Sequence, residues 1–340
     1  MTLPLDGLRV LDLSRLLPGD FCSLVLADFG ADVIKVEDTG VGDYVRWAPP
    51  HHAGAEHSAS GALFLGLNRG KRSIRIDLKS EQGKAAFLRL VGDADVVLES
   101  FRPGVLDRLG VGYERLREEN PGLVYCAITG YGQDGPARDR PGHDLNYLAL
   151  NGILGLTGEG DGPPVQSGVQ IADLGGGALT AAIGILVALR ERERSGLGQL
   201  VDCSMFDGSL SWLVMTAAAA LASGRGDRRG ENVLAGGIIC YRPYRCADGY
   251  VSLGALEPKF WKAFCRGVRR EDLEDSAFAP PGSDPHRELE QIFLAHTREE
   301  WRDFASEHEC CLEPVLALDE VLESELVRAR EMIVEVPQPG

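Results

Sequence analysis

Strand-like apolar runs alternate with helical stretches through the first part of the chain, and this alternation restricts the fold more than any other feature. The runs are Leu8–Leu13, Ala31–Glu37, Ser73–Leu78, Asp95–Glu99 and Leu123–Ile128, with helical pattern up to Gly30, from Ser80 to Val91 and after Gly104. Repeated strand–helix units imply an α/β fold with a parallel, doubly wound sheet and sites at the carboxyl ends of its strands. Glu99-Ser100-Phe101-Arg102 and Thr129-Gly130-Tyr131-Gly132 fall at such ends and are candidate ligand loops. The turn after the first run, Leu17-Pro18-Gly19-Asp20-Phe21, lacks the G-x-G-x-x-G phosphate turn, which argues against a dinucleotide site.

A chain of 340 residues has room for two domains. The polar, glycine-rich stretch Gly224–Gly230 marks a boundary, so a large domain is expected over 1–224 and a smaller one over 225–320. The N-terminus carries an early acid and does not read as a signal peptide. Ala178–Leu189 and Trp212–Ala222 fall short of the roughly 20 apolar residues of a membrane span. A cytoplasmic protein is expected. Eight cysteines without C-x-x-C spacing suggest neither a metal site nor a disulfide framework. A formal charge of −16 argues against nucleic acid or an anionic membrane as partner. Against that background Arg69, Lys71, Arg72 and Arg75 cluster, with Arg102 and Arg108 downstream. They read equally as a solvated basic face or as a seat for an anionic small molecule.

Two segments carry acid–base groups: Gly142-His143-Asp144-Leu145-Asn146-Tyr147 and Ile171-Ala172-Asp173-Leu174-Gly175-Gly176-Gly177. An imidazole and a carboxylate flanking a carbon acid can remove a proton on one face and return one on the other. Free N–H groups at the helix start beside Asp173 are expected to hold an enolate oxygen. Taken alone, Asp173 also reads as a helix N-cap and His143 as a structural residue.

With the segments LRVLDLSRLLPG, LADFGADVIKVE, LNRGKRSIRIDLK, ESFRPGVLDRLGVG, ITGYGQDGP, GHDLNYLALNG and DGYVSLGALEPKFW in one order, the chain resembles the family III CoA transferases, and within them the α-methylacyl-CoA racemases. The resemblance implies a Rossmann-like large domain, a smaller α+β domain and an interlocked homodimer. The active site would lie between the large domain of one subunit and the small domain of the other. It implies His143 and Asp173 as proton-transfer groups, with Glu257 orienting the histidine. Arg69, Lys71, Arg72, Arg102 and Arg108 would serve the nucleotide part of CoA, and Gly130, Tyr131 and Tyr147 would line the ligand. CoA is part of the substrate, and neither a metal nor a separate cofactor is implied. The implied reaction interconverts (R)- and (S)-2-methylacyl-CoA through an enolate. The alternatives are CoA transfer between carboxylic acids through an Asp173 thioester and a non-enzymatic CoA-binding scaffold. Two departures stand out. Asp20 replaces the second proline of the usual PGP turn, an added charge expected to alter the neighbouring CoA pocket. The chain also ends at Gly340, earlier than its relatives, whose last segment returns to the large domain; 321–340 is expected to do the same.

Overall fold

The computed structural model describes residues 2–51 and 61–335. The chain divides into two compact units, Met1–Gly155 with Val165–Gly226, and Leu156–Pro164 with Asp227–Gly340. The segment Leu156–Pro164 thus leaves the first unit, which the sequence pattern does not reveal. Residues 321–335 cluster with the second unit. The last five residues of the 321–340 segment lie outside the described residues.

The first unit is built on six parallel strands: β1 (Arg9–Asp12), β2 (Asp32–Glu37), β3 (Arg72–Arg75), β4 (Val96–Glu99), β5 (Val124–Thr129) and β6 (Leu200–Ser204), in the order β3-β2-β1-β4-β5-β6. Chain direction across the sheet reverses between β1 and β4, and the crevice at such a reversal is where open α/β sheets bind ligands. Period-two alternation splits the apolar residues between two cores. Val10, Val96, Leu98, Val124, Cys126 and Ile128 face one. Leu11, Val97, Tyr125 and Ala127 face the other. A continuous helix, Ile171–Ser195, leads into β6, and a second apolar helix runs over Met205–Ser223. Both are long and apolar enough by composition to cross a membrane, more than the apolar stretches alone suggest. Half of the first helix's most apolar window is buried within the protein, against 11% for the second.

Under the loop that follows β1 lies a closed group of charges. The side chains of Asp12, Asp20, Asp43, Lys35 and Lys71 are all at most 1% exposed. Lys35 pairs with Asp20 and, at 3.0 Å, with Asp43, and its Nζ donates to the Ser14 carbonyl at 3.1 Å. Lys71 donates to the Asp20 carbonyl and to Asn68 Oδ1, each at 2.9 Å, and stands 3.6 Å from Asp12. Two ammonium groups therefore clamp both ends of Ser14–Asp20. Between them Leu16 is held at φ 61°, a conformation that costs a side-chain-bearing residue about 1–3 kcal/mol and persists only where its surroundings impose it.

The second unit carries an antiparallel sheet, β7 (Tyr241–Cys246), β8 (Gly249–Gly254) and β9 (Leu312–Pro314), with helices around it, the mixed architecture expected. Its core is aromatic. Phe293 stacks on Tyr244 at 4.3 Å and on Phe264 at 5.3 Å, while the indole N–H groups of Trp261 and Trp301 reach carbonyls at 3.0 Å. Arg298 pairs with Glu320 at 2.9 Å and ties the helix Leu318–Leu322 to this unit.

Candidate active site

The carboxyl ends of β1, β4 and β5 open onto a cavity of about 600 Å³. Its wall includes Arg15–Pro18 after β1, Ser100–Pro103 after β4, and Ile128–Gly130 at the end of β5. His143, Asn146, Tyr147, Asp173 and Met205 also line it. The two sequence segments that carry acid–base groups therefore meet in one place.

Their junction has a specific cause. His143 precedes the first turn of the helix Asp144–Leu150; its backbone N–H donates to Asn146 Oδ1 at 3.0 Å, and its imidazole makes no capping hydrogen bond. The helix that carries Asp173 starts after Gln170, whose side chain makes no cap. Orphan N–H groups at a helix start need partners. Asp144 supplies one from the neighbouring helix: its Oδ1 accepts from the N–H of Ala172 at 2.6 Å and of Asp173 at 3.1 Å. The residue next to His143 thus fastens the backbone of Asp173.

This geometry corrects the expectation that free N–H groups beside Asp173 await an enolate oxygen, because two of them are already bonded. The glycines have another role as well. A Cβ on Gly175 would fall 2.0 Å from Trp212, one on Gly176 2.7 Å from the Met205 carbonyl, and one on Gly177 2.8 Å from the Met205 side chain. They let the wide-turned segment Ile171–Leu179 pack directly on the helix Met205–Leu210 and on Trp212.

Burial first, and the Asp144 charge after it, push the Asp173 carboxyl up to about 6 against a downward pull from His143. Among the described residues no lysine or arginine pairs with it. A group at that value exchanges protons readily near neutrality, which is what a general base or acid requires. Tyr147 lines the cavity; its hydroxyl donates to the Gly142 carbonyl at 2.6 Å, and its ring meets that of Tyr131 edge-on at 5.2 Å.

The basic residues separate into two classes. Arg102 lines the cavity, and Arg108 lines a neighbouring cavity of about 320 Å³ that shares Arg15 and Phe101 with it. Arg138 and Arg140, which sequence reasoning passed over, also line the first cavity. Arg69 and Arg72 do not; they pair with Asp28 and, through two nitrogens, with Asp32. Lys71 is interior and holds the Asp20 carbonyl, so it has no exposed ammonium to offer a phosphate. Asp20 does not line the cavity either: its carboxylate turns inward to Lys35 and Asn68. The expected effect of its charge on the pocket is thus replaced by a structural one, through the clamped loop. Glu257 lies in the second unit, exposed, at the head of the helix Pro258–Gly267, and its side chain makes no capping bond.

Residues 5–340 match the model of CoA-transferase family III. An α-methylacyl-CoA racemase of Mus musculus is 37% identical over 98% of this chain and 84% of its own length. A succinyl-CoA:mesaconate CoA-transferase of Haloarcula marismortui is also 37% identical, over 99% of this chain and 86% of its own. The crystal structure of a CAIB/BAIF family protein from Brucella suis superposes with a TM-score of 0.85 at 35% identity, covering 98% of this chain and 89% of that one. With an α/β sheet of this topology and similarity over nearly its whole length, the chain belongs to CoA-transferase family III, an enzyme family that includes racemases as well as CoA-transferases.

Proposed function

We propose that this enzyme is a racemase that interconverts the two C2 epimers of a 2-methylacyl-CoA by 1,1-proton transfer. The observation that carries this reading is the convergence of His143 and Asp173 on one cavity lining, with Asp173 held near neutrality in its proton affinity. One group takes the C2 proton, and the electron pair of that C–H bond moves into the thioester carbonyl to form an enolate. The other group returns a proton to the opposite face, so no net proton is gained or lost. Arg102 and Arg108 serve the phosphates of CoA in this reading, and the guanidinium fork suits them. Gly130 and Tyr147, which line the cavity, serve the pantetheine arm of CoA, with Tyr131 packed edge-on against Tyr147.

The same reading makes the working form a homodimer in which a second copy brings Glu257 to His143. The helix Met205–Ser223 supports that arrangement by leaving Trp212 54%, Met215 70% and Leu221 86% exposed, an apolar surface that water alone covers poorly.

The second reading is CoA transfer, favoured by the equal identity of the Haloarcula transferase. Asp173 would then attack the thioester carbonyl and expel CoA thiolate, which returns to the aspartyl carbonyl of the mixed anhydride and releases the donor acid; the acceptor carboxylate then runs the same steps in reverse, takes the CoA and frees Asp173. Each purified epimer of a 2-methylacyl-CoA, incubated in D₂O, tests the choice. Deuterium at C2 with loss of chirality is the racemase result. Absence of exchange, together with a hydroxylamine-trappable adduct on Asp173 when a carboxylic acid acceptor is present, overturns it in favour of transfer.

A further inference from the structure

An enolate forming in this cavity needs a hydrogen-bond donor at the thioester oxygen, and the two N–H groups nearest Asp173 are bonded to Asp144. Tyr147 spends its hydroxyl proton on the Gly142 carbonyl. The N–H of His143 is spent on Asn146. That last bond fixes more than the helix start. A backbone N–H can only donate, so the Asn146 atom facing it is the oxygen, and the amide nitrogen is turned the other way. Asn146 lines the cavity beside His143, and among the described residues its Nδ2 donates to nothing.

We infer that Asn146 is a catalytic residue, its Nδ2 donating to the thioester oxygen of the bound acyl-CoA as that oxygen acquires enolate charge. The inference rests on the proton-transfer reading proposed above. The geometry suits the task because the donor is preorganised. Its carbonyl end is tied to the same N–H that positions His143, so base and donor share one rigid helical turn and no reorganisation is needed as charge develops. A neutral donor also leaves the charge balance between His143 and Asp173 undisturbed. The four arginines of the lining would not.

Asn146→Asp separates the two roles of the side chain. It keeps an oxygen for the His143 N–H and an acid in the first helical turn, where acids are favoured, but when ionised it has no donor. Deuterium exchange at C2 of a 2-methylacyl-CoA in D₂O should fall by about 100- to 1000-fold, in kcat rather than in KM. The loss should persist from neutral to alkaline pH, where the introduced carboxylate is ionised. Asn146→Ala, neutral and without a donor, is read alongside and carries the decision if the aspartate variant does not fold; it should show a loss of similar size. Exchange at the wild-type rate in either folded variant overturns the inference. So does a loss confined to KM, and so does a loss in Asn146→Asp that vanishes as the pH is raised, because that result reports only an added charge acting on Asp173. If the wild-type enzyme exchanges no C2 proton, the proton-transfer reading itself fails and takes the inference with it.

Discussion

The segment Ser14–Asp20 borders two groups of acids, and the contrast between them says what marks a site. Its ends touch the closed cluster of Asp12, Asp20, Asp43, Lys35 and Lys71; its middle, Arg15–Pro18, lines the cavity that holds Asp173. Each side has a carboxyl pushed upward chiefly by burial, Asp20 to about 7 and Asp173 to about 6. A raised proton affinity is therefore not the distinguishing mark. Lys35 pairs with Asp20, and its own proton affinity is raised by the surrounding aspartates despite burial. Asp173 lines a cavity, and among the described residues no lysine or arginine pairs with it. The first arrangement consumes its charges in fixing a loop, and the second leaves them available to a ligand.

The largest expected effects break one side of this contrast without touching the other. Asp173→Asn should lower C2 exchange by about 10² to 10⁴. Its effect on stability should be the opposite of a structural residue's. A carboxyl whose folded value, about 6, exceeds its ordinary 3.8 binds its proton more tightly in the folded state, so the fold loses stability as pH rises between those values. The amide removes that loss. Thermal melts should show Asp173→Asn more stable than wild type above pH 6, and the two alike below about pH 4. A variant less stable at pH 7 would assign Asp173 to the framework.

Lys35→Met is the complementary break and comes next in size. It strands Asp20 and Asp43 in the interior, and removing one partner of a buried pair costs about 3–5 kcal/mol. Urea denaturation measures this directly. A loss near zero would mean that the cluster sheds its charge by protonation and clamps nothing.

Which of these features the sequence reveals depends on how local their cause is. β1, β2, β4 and β5 are legible because each is almost wholly buried and reads as an apolar run, while β3, exposed at one edge of the sheet, is marked only by the alternation of Ile74, Ile76 and Leu78. β6, Leu-Val-Asp-Cys-Ser, is not legible, since it lies at the sheet edge with an acid in its middle. His143 and Asp173 are legible as residue types. What joins them is less so, because Asp144 acts on backbone 28 and 29 residues away. One signal does exist: Gln170 is a poor cap for the helix that follows, so its first N–H groups need acceptors from elsewhere. The basic run at 69–72 misleads for the same reason. Its partners Asp28 and Asp32 stand about 40 residues earlier, and a charge pattern alone does not disclose them.

Asp144 offers a finer test, because its two effects on Asp173 come apart. Asp144→Ala removes the acceptor from two helix-start N–H groups and should cost about 0.5–2 kcal/mol. Asp144→Asn keeps an acceptor oxygen and removes only the charge. Asp144 raises the Asp173 carboxyl, so the amide lets it fall, and the acidic limb of the kcat profile, expected near pH 6 in the wild type, should move to lower pH. A limb that stays in place would mean that burial alone sets the value.

The smallest expected effect is the one that best separates cavity charges from framework charges. Arg72 and Asp32 form a two-nitrogen pair at the sheet edge, with Arg72 63% exposed, and pairs so open to solvent contribute about 0–1 kcal/mol. Arg72→Ala should therefore shift the unfolding midpoint slightly and leave acyl-CoA affinity and its salt dependence unchanged. Arg102→Ala, measured in the same titration, should weaken binding by about tenfold, the loss expected of one charge-assisted hydrogen bond, and should flatten the salt dependence. If instead Arg72→Ala weakens binding as much as Arg102→Ala does, Arg72 exchanges Asp32 for a phosphate when the ligand arrives, and the division between clamped and available charges must be redrawn to include the rim of β3.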